Sequence, residues 1–208
     1  MSVSISVSKV ATVLVLSFSF TIASASAQDQ SQSKAQPQTQ SQTSQSQAPA
    51  TPPAPPPAKS ADVSSPDAIL AATYDVISGP AGKRDWDRFR SLFLAGARLG
   101  AVRKEKDGSF SAKTFTPEEY VTFGDAYFMK NGFFEREASR HADRYANIMQ
   151  IFSTYESRHN AKDPTPFARG INSFQLFFDG KRWWVVDIFW QEETADAPIP
   201  GEFLPKTH

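Results

Sequence analysis

Six side chains of this sequence have types and positions suited to a small-molecule binding site. Each lies in or next to a segment that is otherwise rich in apolar and aromatic residues. A pocket that is mostly apolar, with a few directional polar groups, is the usual form of such a site. The candidates are Tyr74, His141, Asn147, Tyr155, Asp187 and Trp190.

An acid–base pair is the most reactive chemistry that these residues would allow. Histidine is a common general base, and His141 would serve as one beside Asp187. Two structural interpretations compete with this one. His141 would then be a surface residue without a catalytic partner, and Asp187 would pair across strands with a nearby arginine. The arginines within reach are Arg140, Arg144 and Arg182. We expect the structural interpretations, so no catalytic residue is predicted.

Three long strands are predicted to carry most of these candidates. They cover Tyr145 to Arg158, Gly170 to Phe178 and Arg182 to Gln191. Asp179-Gly180 separates the last two, and Asp-Gly between β-rich segments is a strong hairpin signal. Asn147 and Tyr155 share one face of the first strand by parity, although parity does not say which face is inside.

The last strand is apolar on both faces. Parity puts Trp184, Val186, Ile188 and Trp190 on one face, and Trp183, Val185, Asp187 and Phe189 on the other. A sheet of this kind must be covered on both sides. We expect helices or a cavity on one side, and on the other a homodimer contact made by the outer face of the sheet. The predicted contact residues are Trp183, Val185 and Phe189.

Helices and a hairpin precede these strands. Ser65-Pro66-Asp67 predicts a helix start, a second helix begins near Asp85, and Thr116-Pro117-Glu118-Glu119 is a capping box. A hairpin with an Asp107-Gly108 turn lies between the second and third helices. The order predicts an α+β fold, in which a curved, mainly antiparallel sheet wraps around the N-terminal helices as a cone-shaped α+β barrel.

The N-terminal part of the chain differs in composition from the rest. Residues 1–27 have the form of a signal peptide, with an apolar segment followed by Ala25-Ser26-Ala27. Residues 28–64 are rich in Gln, Ser, Pro and Ala and are predicted to be a disordered tether. The folded domain is then 65–193, with a C-terminal tail of 194–208. We expect a secreted or periplasmic protein, with no membrane span after cleavage; an uncleaved anchor is the alternative.

Composition excludes several classes of function. The chain has 22 basic and 22 acidic residues, so it carries no electrostatic footprint for nucleic acid. It has no cysteine, which removes disulfides and thiolate chemistry. Its three histidines are widely spaced, and no metal site or cofactor is predicted.

The element order, together with the segment from Lys83 to Phe93 and the Ala97-Arg98-Leu99 that follows it, resembles the nuclear transport factor 2-like superfamily. SnoaL-like and ketosteroid isomerase-like proteins belong to it. The resemblance implies a cone with a pocket at its open end, commonly a homodimer through the outer sheet face. Members include enzymes and binding modules alike, so the resemblance does not decide function.

The isomerase mechanism can be tested residue by residue. The resemblance would place the substrate-binding tyrosine at Tyr74, the general base at Ala101 and the second acid near Phe174. Ala101 and Phe174 cannot titrate, so that mechanism is not expected. The sequence predicts a non-enzymatic domain that binds a small apolar or amphipathic ligand, or a protein partner. A lyase, cyclase or isomerase with a nonstandard acid–base set is the alternative, and a filled cone without a pocket is a third.

Overall fold

The computed structural model describes residues 54–206. The predicted signal peptide and most of the predicted tether lie outside these residues. The helices are α1 (Ser60–Val63), α2 (Pro66–Ile77), α3 (Trp86–Leu92) and α4 (Pro117–Phe128). The strands are β1 (Phe93–Lys104), β2 (Phe110–Phe115), β3 (Phe134–Tyr145), β4 (Ile148–Arg158), β5 (Ala168–Phe178) and β6 (Trp183–Glu192), and a 3-10 turn covers Gly201–Phe203. Helix α4 lies between β2 and β3 in the chain. None of the helices in residues 54–206 is long and apolar enough to cross a membrane.

Side-chain caps fix the starts of the three longer helices, as the sequence predicts. Ser65 accepts a hydrogen bond from the Ala68 amide at 3.0 Å at the start of α2. Asp85 does the same for α3. At α4 the capping box is complete, because Thr116 and Glu119 each accept from the other's backbone amide.

The six strands form one open sheet in the order β2-β1-β6-β5-β4-β3. All neighbours are antiparallel except β1 and β6, which are parallel. Irregularities interrupt the register of β1 with β6, β3 with β4 and β5 with β6, and such bulges bend a sheet. The predicted α+β class, with a curved and mainly antiparallel sheet around N-terminal helices, is confirmed. The sheet does not close into a barrel.

The core lies between the helices and the concave face of this sheet. Ile69 and Leu70 of α2 and Phe89 of α3 are buried against Phe174 of β5 and Val185 of β6. Burying side chains of this size contributes about 1.5 to 3 kcal/mol each. This layer of apolar contacts holds α2 across the sheet.

The predicted first long strand, Tyr145 to Arg158, begins at Ile148 instead of Tyr145. β3 continues to Tyr145, a two-residue turn follows at Ala146-Asn147, and β4 begins at Ile148. Ala146 has a φ of 47°, the only positive value of a non-glycine residue in the described part of the chain. The sequence gives little sign of this turn, because alanine is a poor residue for that conformation.

A bulge in β6 also changes which side chains face inward. Val185 pairs with Leu176 and Asp187 with Gln175, so Val186 is the extra residue and parity reverses beyond it. Trp183 and Val185 are 3% and 0% exposed and belong to the core. The assignment of these two residues to an outer dimer face is therefore wrong.

Phe189 is the one predicted dimer contact that does lie on the outer face. Its ring covers Gly100 of β1, where a Cβ atom would come within 2.3 Å of it. Only a glycine at residue 100 leaves room for the ring in this position.

The folded part of the chain extends beyond the predicted domain, 65–193, at both ends. Val63 of α1 is 4% exposed and joins the core, so the folded part includes residues of the predicted tether. At the other end, the Thr154 hydroxyl donates to the Phe203 carbonyl at 2.6 Å. The Phe203 ring lies 5.6 Å from that of Phe152, centroid to centroid. The C-terminal segment thus covers part of the outer sheet face, which we had expected a second subunit to cover.

Candidate functional site

A cavity of about 240 Å³ lies between helices α2, α3 and α4 and the concave face of the sheet. Half of the residues that line it are aromatic: Tyr74, Phe89, Tyr120, Phe133, Tyr155, Phe167, Phe174 and Trp190. The polar side chains among the others are Thr73, Glu135, Ser157 and Asn172. Predominantly apolar walls with a few polar groups are typical of small-molecule sites, and this volume is somewhat below the usual range of about 300 to 1,000 Å³.

Three of the six predicted site residues line this cavity. Tyr74 reaches it from α2, Tyr155 from β4 and Trp190 from β6. Their convergence follows from the fold, because α2 lies across the concave face to which the two strands contribute. The structure thus brings together half of the predicted set.

The other three predicted residues lie elsewhere. Asn147 is in the β3–β4 turn, where its amide donates to the Phe178 carbonyl at 2.9 Å. His141 is exposed on the outer face of β3, with its Nε2 3.2 Å from an oxygen of Asp143. Asp187 lies beyond the β6 bulge, across the sheet from the cavity, and is paired in register with Gln175. An acid–base pair of His141 and Asp187 inside the pocket is therefore ruled out.

Glu135 is the functional group that the sequence analysis missed. It lies near the start of β3, and one carboxyl oxygen accepts from the Ser157 hydroxyl at 2.7 Å. Its other oxygen is 3.5 Å from the Asn172 amide nitrogen. No cationic side chain in the described residues pairs with it. Burial raises the pKa of Glu135 to about 7, since the apolar cavity wall penalises the ionised form.

The register of β3 with β4 places Glu135 on the cavity wall. Glu135 stands opposite Ser157 in the β3–β4 ladder, and Ser157 shares a strand face with Ser153 and Tyr155. Counting this register from the sequence needs the β3–β4 turn at Ala146-Asn147, which carries no clear turn signal, and also the irregularity between Glu137 and Ser139. Without the turn, the partner of Glu135 cannot be counted.

A chain of hydrogen bonds leads from Tyr74 away from the cavity. The Tyr74 and Ser153 hydroxyl oxygens are 2.7 Å apart, and Ser153 donates to Glu137 at 2.5 Å. Glu137 in turn accepts from Arg140 at 2.6 Å. Because the Ser153 hydrogen is used on Glu137, the Tyr74 hydroxyl must donate to Ser153, and its oxygen accepts from Asn172. Tyr74 therefore lines the cavity but has no hydrogen to give to a ligand.

Two other phenols keep their hydrogens available. Tyr120 from α4 and Tyr155 from β4 line the cavity, and within residues 54–206 neither hydroxyl has a hydrogen-bond partner. Burial raises the pKa of both, with the Glu135 charge adding to the effect. Both phenols thus stay protonated and can donate to a ligand.

Gly170 makes room for one of these phenols. A Cβ atom at this position would lie 2.6 Å from the Tyr155 hydroxyl oxygen and 2.3 Å from the Gln191 carbonyl oxygen. The glycine lets the Gln191 carbonyl and the Tyr155 hydroxyl both lie close to the β5 backbone.

The geometry gives no support to a metal site or to the isomerase-like acid–base set. In residues 54–206 no three His, Asp or Glu side chains are grouped as metal ligands would be. Phe174 does line the cavity and Ala101 packs against the core, but neither side chain titrates. Of the residues that the structure describes, Glu135 is the one that puts a carboxyl on the cavity wall.

Comparison with known proteins finds similarity to solved structures only. No protein-family model matches the chain, and no curated protein matches it. A protein of unknown function with a cystatin-like fold from Nostoc punctiforme is similar at 12% identity and a TM-score of 0.46, over 61% of this chain and 87% of that one.

Two further structures are described as NTF2-like proteins of unknown function. The one from Shewanella baltica has 15% identity and a TM-score of 0.38, over 61% of this chain and 90% of that one. The one from Silicibacter pomeroyi has 11% identity and a TM-score of 0.40, over 61% and 92%.

Proposed function

We propose that this domain binds one small, mostly apolar ligand inside the cavity. The observation that carries the proposal is an aromatic cavity whose wall holds a carboxyl group without a counter-charge. A core built only for stability would fill such a space and would avoid an unpaired carboxyl, because both features cost free energy. A ligand that fills the space and contacts Glu135 would offset both costs.

The polar ends of the ligand would meet three groups. Glu135 offers carboxyl oxygens, and Tyr120 and Tyr155 offer phenolic hydrogens. Tyr74 and Asn172 hold one another and support the wall beside these groups. Trp190 provides a flat apolar surface and a fluorescence signal for binding.

A cavity-filling substitution would test the proposal. Ala168 lines the cavity, so Ala168→Phe should abolish binding of any ligand that occupies it. Ala112→Phe on exposed β2 is the matched control and should leave binding unchanged. Native mass spectrometry of the gently purified chain would show an extra mass of bound ligand. Equal ligand occupancy in both variants would contradict a site inside the cavity.

Proton transfer is the second candidate function. A carboxyl with a pKa of about 7 can both take and give a proton near neutral pH. A lyase, cyclase or isomerase whose substrate has an acidic C–H group would use Glu135 to take that proton and return it. Once a ligand is identified, incubation in heavy water would show exchange at carbon in the wild type and none in Glu135→Gln. Exchange that persists in the variant would refute a role for Glu135.

Secretion and self-association are further parts of the proposal. We propose that residues 1–27 direct the chain to a secreted or periplasmic location, which N-terminal sequencing of the purified protein would test.

A homodimer would use the outer sheet face around Phe189, beside the C-terminal segment. Light scattering of the wild type and Phe189→Ser would test that contact: equal masses would argue against it.

A further inference from the structure

We infer that the ligand of the cavity is a small organic cation, an ammonium group carried on an apolar frame, and that its charge pairs with Glu135. This inference rests on the proposed binding function and specifies its ligand. Three properties of the cavity wall support it: the charge of Glu135, the unused hydrogen-bond acceptors of Glu135 and the aromatic rings around it.

Within the described part of the chain, no cationic side chain compensates the charge of Glu135. Among residues 54–206, no lysine, arginine or histidine lines the cavity. Arg84 and Arg140 are both occupied, because Arg84 donates to four backbone carbonyls and Arg140 pairs with Glu137 and Asp67. An anionic ligand would therefore meet repulsion and no counter-ion, whereas a cation would supply the missing charge.

The groups that face Glu135 from the packed elements add no positive charge either. They are the phenols of Tyr74, Tyr120 and Tyr155, the Ser157 hydroxyl and the Asn172 amide. All of these groups are neutral. Glu192, whose charge also raises the pKa of Tyr155, adds negative charge and not positive charge. Positive charge at this wall has to come from the ligand.

The carboxyl of Glu135 also has unused acceptor positions. An ionised carboxylate offers about four lone-pair positions. In the described residues it receives one hydrogen bond of 2.7 Å from Ser157 and one distant contact of 3.5 Å from Asn172. A ligand that brings N–H donors would use the remaining positions. An ammonium group brings up to about three such donors.

The aromatic walls are suited to a cation as well. Rings of Tyr120, Phe133, Tyr155 and Trp190 line the same cavity as Glu135. Aromatic faces attract ammonium groups, and cages of such rings are a common means of recognising organic cations. A carboxylate with surrounding rings combines both modes of recognition in one site.

Three probes of equal size would test the inference by calorimetry on the purified chain. Benzylammonium, benzyl alcohol and benzoate share one ring and differ in charge. We expect benzylammonium to bind at least about tenfold more tightly than benzyl alcohol, from the charge-assisted hydrogen bonds and the cation–π contacts. Benzoate should bind most weakly.

Glu135→Gln should remove the preference for benzylammonium and leave benzyl alcohol unaffected. Asp187→Asn is the control, because Asp187 is a half-buried carboxyl on the opposite face of the sheet, and this variant should keep the preference.

Wild-type protein gives a second measurement that needs no variant. Below pH 7 the free carboxyl is mostly protonated, so benzylammonium should release about one proton at pH 6 and lose affinity roughly twentyfold from pH 7.5 to 5.5.

The outcomes separate this inference from the proposed function. If benzyl alcohol binds as tightly as benzylammonium, or if Glu135→Gln keeps the preference, the cation inference fails while a ligand-binding cavity remains. If proton uptake accompanies binding of benzylammonium, the inference also fails. If none of the three probes binds at millimolar concentration, both the inference and the binding site for such ligands are refuted.

Discussion

Replacing Glu135 by Gln should stabilise the protein at alkaline pH and leave its stability unchanged at acidic pH. The ordinary pKa of this carboxyl is 4.5, and burial raises it to about 7 in the folded chain. Below pH 4.5 the group is protonated in both the folded and unfolded states, so it has no effect on stability. Above pH 7 it is ionised in both states, and only the folded state carries the cost of a buried charge.

The size of the effect follows from the two pKa values. A rise from 4.5 to about 7 corresponds to about 3 kcal/mol, at about 1.4 kcal/mol per tenfold change in the protonation equilibrium. The folded wild type should therefore lose about 3 kcal/mol relative to Glu135→Gln between pH 4.5 and pH 8. Most of this loss should occur between pH 5 and pH 7.

Urea unfolding of both proteins at several pH values would measure this difference. Subtracting the two free energies of unfolding removes the contribution of every other titrating group, provided that the sites are independent. Glu202→Gln, in the exposed C-terminal turn, should show no such pH-dependent gain. A difference between wild type and Glu135→Gln that stays constant from pH 5 to pH 8 would refute the argument that Glu135 is desolvated in the cavity wall.

Three further predictions concern stability alone. Gly170→Ala should destabilise the fold by about 2 kcal/mol or more, because the new Cβ would lie 2.3 Å from a carbonyl oxygen of the next strand; Gly201→Ala, with open space around it, should be nearly neutral in the same thermal melts. Arg88→Ala should cost about 3 kcal/mol of stability, because it leaves the mostly buried Asp62 without its ion pair. Arg90→Ala removes the more exposed pair with Glu118 and should cost less than about 1 kcal/mol. Equal losses of the two variants in urea unfolding would contradict this. Ala146→Gly should stabilise by about 1 kcal/mol, because alanine is strained at a φ of 47°, and a lower unfolding midpoint would contradict that account of the turn.

The fold was largely predictable because its signals are local. Ser65, Asp85 and Thr116 each begin a helix through a capping hydrogen bond that neighbouring residues determine. The Asp179-Gly180 turn is equally local: Gly180 has a φ of 93°, and Asp179 accepts from the backbone of Lys181 and Arg182. These signals fix the order of elements and so the class of fold.

The site was only half predictable because it depends on pairing between distant residues. The bulge at Val186 reverses the two faces of β6 beyond it, and nothing in the run of apolar residues there marks the extra residue. The same difficulty applies to β3, where the partner of Glu135 depends on an unsignalled turn at the end of the strand and on an irregularity between Glu137 and Ser139. Tyr74, Tyr155 and Trp190 were found because a helix and two clear strands present them directly.

Glu135 has a free-energy cost that the fold itself does not require. A glutamine at this position would keep the hydrogen bond with Ser157 and remove the buried charge, so the fold would gain stability at neutral and alkaline pH. Tyr120 and Tyr155 add two phenols that likewise have no partner in the described residues. A ligand with N–H donors and a positive charge would make Glu135 favourable, and a ligand acceptor would do the same for Tyr120 and Tyr155. The stability gain of Glu135→Gln and its loss of preference for a cation should therefore appear in the same variant, because both arise from one desolvated carboxylate.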